Sequence, residues 1–505
     1  MEAWFIVLLT LCVIFLIKAT VSTLTTTTTT KTATLPPGPL HIPILTSLLW
    51  LRKSFSQLEP FLKTLHAKHG PIIALRIGSR PSVFIADRSL AHHALVHNSS
   101  IFSDRPKALP TGKLMSSNQH NISSASYGAT WRTLRRNLAS EMLHPAKVKS
   151  FSEIRNWVLD TLISRLKTAS ESESFMAVPH FHYAMFCLLV FMCFGERVSD
   201  EKVNEIERVQ RTLLLSMSRF NILNFWPQVT KILLRKRWEE LLKLRKGQED
   251  VLLPLIRARK QNKGSKSVVS YADTLLELEL KEENRKLNED EMVSLCSEFL
   301  NGGTDTTSTA LQWIMANLVK YPDVQRKLVE EIREVIGIGG DDSGLNKEVK
   351  EEDLQKLPYL KCVVLEGLRR HPPAHFVLPH AVKEDVVLNG YLVPKDGTVN
   401  FMVAEMGWDP LVWEDPMEFK PERFLKDETF DITGSKEIKM MPFGVGRRIC
   451  PGYHLALLHL EYFVANLVWN FDWKVPKGGD VDLTEKQEFT MVMKNPLQVH
   501  ISPRI

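Results

Sequence analysis

Two apolar stretches dominate the middle of the chain. Phe186 to Phe194 is almost wholly apolar, and Met292 to Leu318 is apolar apart from a glycine-bearing polar interruption. Runs apolar all round, with no alternation, predict helices buried on every face. Ile72-Ile-Ala-Leu-Arg-Ile77 and Ser82-Val-Phe-Ile85 bracket a Gly-Ser-Arg-Pro turn and predict a β-hairpin. A small β pattern returns at Val386–Val393, and the polar, Gly-containing stretch Lys260–Lys266 predicts a surface loop. No second linker and no internal repeat interrupts 36–505. Length alone would allow three domains, yet the pattern predicts one large domain, mostly α with small β-sheets.

The N-terminus reads differently. Ala3 to Ile17 is apolar except for Thr10, with weaker hydrophobic character to Leu24. Roughly 22 helical residues at about 1.5 Å each would cross a hydrocarbon core of about 30 Å. A cleaved signal peptide wants a positive leading region, whereas the only early charge is Glu2 and the positive charges Lys18, Lys31, Arg52 and Lys53 follow the span. The expectation is a single transmembrane anchor over 1–24 with the remainder on the cytosolic side. Thr25 to Thr30 and their neighbours form a Thr-rich linker, 25–35. Leu35-Pro-Pro-Gly-Pro39 is a stiff extended segment that cannot be helix, and it opens the main domain at 36.

Composition narrows the chemistry. The chain is 44% hydrophobic and 24% charged with a net charge of +6 and no long single-sign block, which does not suggest a nucleic-acid partner. Of the six cysteines, Cys187, Cys193, Cys296 and Cys362 sit in apolar surroundings and predict reduced core thiols, not a disulfide framework. Asn121-Ile-Ser123 matches a glycosylation acceptor, silent in a cytosolic domain. No C-x-x-C or H-E-x-x-H spacing offers a zinc site. Gly337-Ile-Gly-Gly340 runs into two aspartates and predicts a loop; no dinucleotide, Walker A or G-x-S-x-G motif is present. Electrons for any redox chemistry must then come from a partner.

Four constellations carry chemistry. Phe443-Gly-Val-Gly446-Arg-Arg448-Ile-Cys450-Pro-Gly452 is a glycine-loosened loop presenting one thiol between arginines; backbone N–H groups can tune such a sulfur. Leu300-Asn-Gly-Gly303-Thr-Asp305-Thr306-Thr307 sets two glycines and a polar quartet inside an apolar helix. Local inconsistency of this kind marks functional sites, and Gly302-Gly303 are expected to loosen the helical ladder into a notch faced by Asp305 and Thr306, a carboxylate and a hydroxyl suited to relay protons. Glu366 and Arg369 stand one turn apart on a helix face, ahead of His371-Pro-Pro373 and the distant Pro421-Glu-Arg423-Phe424. Trp131 and Arg135 share a helix face at i, i+4 spacing.

The order F-x-x-G-x-R-x-C-x-G, met at Phe443, Gly446, Arg448, Cys450 and Gly452, resembles the haem-ligand signature of the cytochrome P-450 family, and G-G-T-D-T-T resembles its oxygen-activation motif at Gly303, Asp305 and Thr306. With L-P-P-G-P and P-E-R-F, the chain looks most like the plant microsomal branch over essentially all of 36–505. The resemblance implies the P-450 fold, a haem b whose iron takes Cys450 as axial thiolate ligand, and propionate contacts from Trp131, Arg135, Arg448 and His380. Phe443 and Gly446 would shape the cofactor loop, and Glu366, Arg369 and Arg423 would form a buried structural triad.

Its activity would be insertion of one oxygen atom from O2 into an apolar small molecule, a plant secondary or catabolic metabolite, on the cytosolic face of the endoplasmic reticulum membrane. NADPH–cytochrome reductase would supply electrons, docking on a basic patch of Arg132, Arg136, Lys439 and Arg447. Isomerases or dehydratases acting on preformed peroxides keep the haem but usually depart from the acid–alcohol pair, which is intact here; a non-catalytic haem-binding protein is the third class. The chain departs from the family pattern at Asn301 and Gly302, and at Glu405 and Trp408 where an apolar residue and an arginine are commoner. Pocket walls are expected near 107–124, 215–228, Phe299, His375–Val377 and Phe489–Met491.

Overall fold

The computed structural model describes residues 33–39, 55–77, 80–261, 268–337, 348–426 and 430–504. The expected anchor 1–24, most of the Thr-rich linker, Cys12, and the expected loops at 262–266 and 338–340 lie outside them. Among the described residues no helix is long and apolar enough to cross a membrane.

Helices carry the domain: α1 (Phe55–His69), α2 (Ala129–Glu141), α3 (Ser152–Ala169), α4 (Val178–Phe194), α5 (Asp200–Ser216), α6 (Arg235–Gln261), α7 (Glu289–Lys320), α8 (Pro322–Gly337), α9 (Pro358–Arg370) and α10 (Tyr453–Asn470). The two apolar runs of the sequence are α4 and α7, packed on one another at the centre of the main core, which α3, α9 and α10 complete. At the start of α7, Asn288 accepts from the Glu291 N–H while Glu291 returns the bond, and three acidic residues occupy the first turn; both features satisfy or complement the free N–H groups there. Gly195 closes α4 in the left-handed conformation that suits glycine.

The expected hairpin is antiparallel, β1 (Ile72–Ile77) with β2 (Arg80–Ile85). The sheet continues through a parallel strand, β4 (Thr398–Phe401), to an antiparallel edge strand, β3 (His380–Ala381). The run at 386–393 is a tight hairpin, Val386–Leu388 with Tyr391–Val393, and Asn389 and Gly390 take the positive φ values its turn demands. Near the C-terminus β5 (Glu485–Gln487) pairs with β6 (Met491–Met493). The proline segment lies on the sheet: the Pro37 carbonyl accepts from Ala74 N at 2.9 Å, and a Cβ on Gly38 would stand 1.9 Å from the Ala74 oxygen. One boundary differs from expectation. Lys260 belongs to α6, which runs to Gln261.

Candidate active site

The loop before α10 is folded back on itself. Cys450 N donates to the Phe443 carbonyl at 2.8 Å, and Ile449 N to Gly446 O at 3.1 Å. Gly444 and Gly446 have φ of 69° and 76°, a region side chains resist. At Gly446 the need is also steric, since a Cβ would lie 2.1 Å from the Leu95 carbonyl oxygen. Cys450 is free and only partly buried. Its thiol is pushed up by burial, with the Gly452 N–H and the Arg135 charge pulling the other way, so this sulfur does accept a backbone donor as the motif led one to expect. Cys187, Cys193, Cys296 and Cys362 are free and buried.

Around the loop gathers a partly buried basic cluster. Arg135 donates from Nη2 to the Ile449 carbonyl at 2.7 Å. Arg448 donates to the carbonyls of Ser103, Ile122 and Ala125 at 2.8, 3.3 and 2.6 Å, and its guanidinium covers the Trp131 ring at 4.4 Å. The Trp131 N–H goes to the Ile122 carbonyl at 3.2 Å. His380 is buried with Nδ1 2.6 Å from the Phe102 carbonyl, and burial drives its pKa down to about 3, so the ring is neutral and Nδ1 carries the proton. Sequence reasoning missed Arg105. It bonds the carbonyls of Ser123, Leu378 and Pro379 at 2.8, 2.7 and 3.0 Å, and burial, then the neighbouring Arg448, lowers it to about 9. Burial, outweighing the nearby Asp104, brings Arg448 to about 10. Among the described residues none of the three guanidiniums has a carboxylate within 4 Å, and Asp104 and Glu298 act on Arg105 and Arg448 only from farther away.

Along α7 the glycines act differently from expectation. The helix is continuous through them. Gly303 permits close packing, because a Cβ there would be 2.2 Å from Leu189 Cδ1 of α4. Of the two, Gly302 alone faces open space, with nothing within 4 Å of a Cβ placed there. Thr306 donates to the Gly302 carbonyl at 2.6 Å beside that opening. Asp305 turns toward α4 and α5, 3.5 Å from both His182 and Arg211. Asn301, one of the departures from pattern, joins a buried amide network by donating to Gln210 and Ser297, both at 3.3 Å.

Glu366, Arg369 and Arg423 do meet. Arg369 grips both Glu366 oxygens at 2.7 and 2.8 Å, Arg423 Nε reaches the same carboxylate at 3.1 Å, and the Glu366–Arg369 pair is fully buried. Arg369 also donates to the carbonyls of Gly407, Pro416 and Glu418. Trp413 lies against both arginines, at 5.4 and 6.0 Å, and its N–H holds the Lys439 carbonyl at 3.1 Å, four residues before Phe443.

The cytochrome P450 family model matches residues 36–502. The chain belongs to the cytochrome P450 family. It is 53% identical to cytochrome P450 89A9 of Arabidopsis thaliana, with 94% of each chain covered, and 32% identical to geraniol 8-hydroxylase of Catharanthus roseus over 92% of this chain and 94% of the relative. A zebra fish cytochrome P450 structure with abiraterone superposes with a TM-score of 0.74 at 22% identity, covering 89% of this chain and all of that one; at that identity the likeness shows the fold. This P450 is thus a monooxygenase, and family membership implies a haem with a thiolate ligand and dioxygen as oxidant. The basic cluster, the open Gly302 face and the Cys450 sulfur suit such a group in charge and in chemistry. Arg105 was missed because nothing in its local sequence distinguishes it from a surface arginine; its signal is burial.

Proposed function

We propose that this P450 is a haem-thiolate monooxygenase of the endoplasmic reticulum membrane, inserting one atom of dioxygen into an apolar small molecule. Residues 1–24 anchor it, 25–35 link, and 36–505 form the cytosolic catalytic domain. When bound, the haem would supply oxygen activation, tuned by an electron-donating thiolate. Cys450 would be that thiolate. Phe443 and Gly446 fix its loop, and the triad of Glu366, Arg369 and Arg423 braces the loop through Trp413. Arg105, Arg135 and Arg448 answer the propionates. His380 joins them on protonation, since its bare nitrogen becomes a donor only then. Trp131 supports Arg448 by stacking, and adds a direct contact only if its N–H leaves the Ile122 carbonyl.

At the notch, Gly302 leaves room, the Thr306 hydroxyl is held at its rim, and Asp305 moves protons. Gly303 keeps α7 against α4, so it serves the notch by packing. Electrons come from NADPH–cytochrome reductase. Tyr127 supports this docking face: Lys383, Arg447 and Arg132 surround its ring at 4.8, 5.3 and 5.8 Å, a concentrated positive surface facing away from the core. An acidic partner is the natural complement.

The observation that carries the reading is the Cys450 loop, with its sulfur facing a Gly452 N–H and the Arg135 charge. Cys450→Ala is expected to abolish the reduced carbon-monoxide spectrum of a haem thiolate; a variant that keeps it removes the assignment. The intact Asp305–Thr306 pair favours oxygen insertion over isomerase or dehydratase chemistry. Label from heavy dioxygen should therefore enter the product of any oxidised probe substrate.

A further inference from the structure

Three side-chain amides and a hydroxyl meet where α5, α6 and α7 pack together. Gln248 of α6 donates to Ser297 Oγ and Gln210 Oε1 at 2.7 and 3.2 Å. Ser297 donates to the same Gln210 oxygen at 2.8 Å, and Asn301 Nδ2 reaches that oxygen and Ser297 Oγ, both at 3.3 Å. Gln210 and Gln248 are 1% and 2% exposed, so solvent does not reach them. Packing three helices needs no such group, since apolar side chains would do it with no donor left over. One is left over here: among the described residues Gln210 Nε2 has no partner.

The orientation of every amide follows from one arginine. Arg245 can only donate. Its Nη1 lies 2.6 Å from the Gln248 oxygen, and its Nη2 is held by the Asp290 carbonyl at 3.0 Å. Gln248 must therefore turn its N–H2 toward Gln210. Reversing Gln210 would set two N–H2 groups 3.2 Å apart, so its oxygen faces Gln248 and its nitrogen is orphaned. That oxygen in turn draws the N–H2 of Asn301. The Asn301 oxygen is the free edge: among the described residues it has no hydrogen-bond partner, and the side chain is only half-buried. Asn301 directly precedes Gly302, where α7 faces open space. Two turns earlier, Ser294 bonds the Met115 carbonyl at 3.2 Å. Met115 clusters with Met217, Phe220 and Leu223, so the adjoining expected walls are apolar.

We propose that Asn301 is a specificity-determining residue: its Oδ1, fixed outward by the relay Arg245–Gln248–Gln210, accepts a hydrogen bond from the substrate. The substrate class is then a largely apolar molecule carrying an O–H or N–H group, not a bare hydrocarbon or an ether. This deepens the monooxygenase reading and rests on it. An amide free to turn could offer either its oxygen or its N–H2 and would select for neither donor nor acceptor. Here turning breaks the bonds to Gln210 and Ser297. A molecule without the donor covers Asn301 Oδ1 and leaves it unpaired, which is how a polar site rejects an apolar analogue.

The test uses the full-length holoenzyme and the shift of its haem absorption band on ligand binding. The probes are matched pairs, indole with N-methylindole and naphthol with its methyl ether. The wild type should bind the donor-bearing member of each pair about three- to tenfold more tightly, as one neutral hydrogen bond allows. Asn301→Leu, of similar size, should lower that ratio by the same factor, while any steric effect of the added methyl persists. Gln210→Leu, which leaves Asn301 free to turn, should also lower it. Gln210→Glu, which keeps an oxygen facing Asn301, should preserve it. The reduced carbon-monoxide spectrum checks that each variant is folded and loaded. Absence of a thiolate spectrum in the wild type defeats the monooxygenase reading, and the inference with it. With that spectrum present, equal affinities within each pair, or an unchanged ratio in Asn301→Leu, overturn the inference alone. A lowered ratio in Asn301→Leu beside the wild-type ratio in Gln210→Leu overturns the relay.

Discussion

His375 Nδ1 stands 2.8 Å from Glu59 Oε2, a contact that joins residues 316 apart in the chain. On its other side Nε2 is 3.2 Å from Glu485, whose second oxygen is 2.8 Å from His371. One imidazole therefore ties α1 to the segment after α9 and to the β5–β6 hairpin, two of the expected walls of the substrate pocket. Lys63 extends the cluster to Glu405 at 2.9 Å and lies over Trp408 at 4.7 Å, while Trp408 meets the His375 ring edge-on at 5.2 Å.

Stability should depend on pH through this cluster. Burial favours the neutral ring of His375, but Glu485 and Glu59 outweigh it and raise the pKa to about 9. A raised histidine stabilises fully below its unfolded value near 6.5 and loses that contribution as pH climbs through about 9. Glu485, lowered to about 2 against its own burial by His371 and His375, contributes above its unfolded value and loses the contribution as pH falls toward 2. The two shifts describe largely one attraction and are not added; its size is at most about 3 kcal/mol. Chemical denaturation should show the alkaline loss between about pH 6.5 and 9, and His375→Gln should flatten it.

Removing one member of the triad should be worse than removing a surface pair. Glu366→Gln leaves Arg369 buried without its carboxylate, a cost of about 3–5 kcal/mol. Unfolding midpoints measure it. Lys327→Ala, which breaks a half-exposed pair with Glu422, should cost less than about 1 kcal/mol.

The two glycines of α7 should respond in opposite ways to alanine. Gly303→Ala drives a methyl into Leu189 and should destabilise by about 1–3 kcal/mol, with partial recovery in the double variant with Leu189→Ala. Gly302→Ala meets nothing, so helix propensity should stabilise the fold by about 0.5–1 kcal/mol while filling the notch and slowing oxygen consumption. Thermal unfolding paired with a turnover assay separates the effects.

Arg105→Gln should weaken haem retention without disturbing the thiolate spectrum. A charged hydrogen bond contributes about 1.5–3 kcal/mol, so transfer of haem to an acceptor globin should quicken about tenfold or more. Equal transfer rates in variant and wild type would remove Arg105 from the propionate site.

What could be read from the sequence was what neighbours along the chain determine. The buried helices, the hairpin, the Cys450 loop and the Glu366–Arg369 pair all arise within a few turns of helix or a single loop, where spacing fixes geometry. Partnerships across the chain were not legible. Glu59, His375 and Glu485 give no local signal of meeting, and Arg105 looks like any charged loop residue until its burial is seen. Gly303 reads as a helix breaker, yet the helix is unbroken, because its role is set by Leu189 on another element. Glu405 and Trp408 likewise give no local signal of meeting Lys63, far upstream.

Trp413 has the triad arginines against its ring and the approach to the cysteine loop on its N–H. A single indole therefore joins the Glu366 triad to the segment that leads into the Cys450 loop. Pigment loss and collapse of this part of the molecule should then occur together on heating, so bleaching of the visible band would report the integrity of the scaffold as faithfully as it reports the iron.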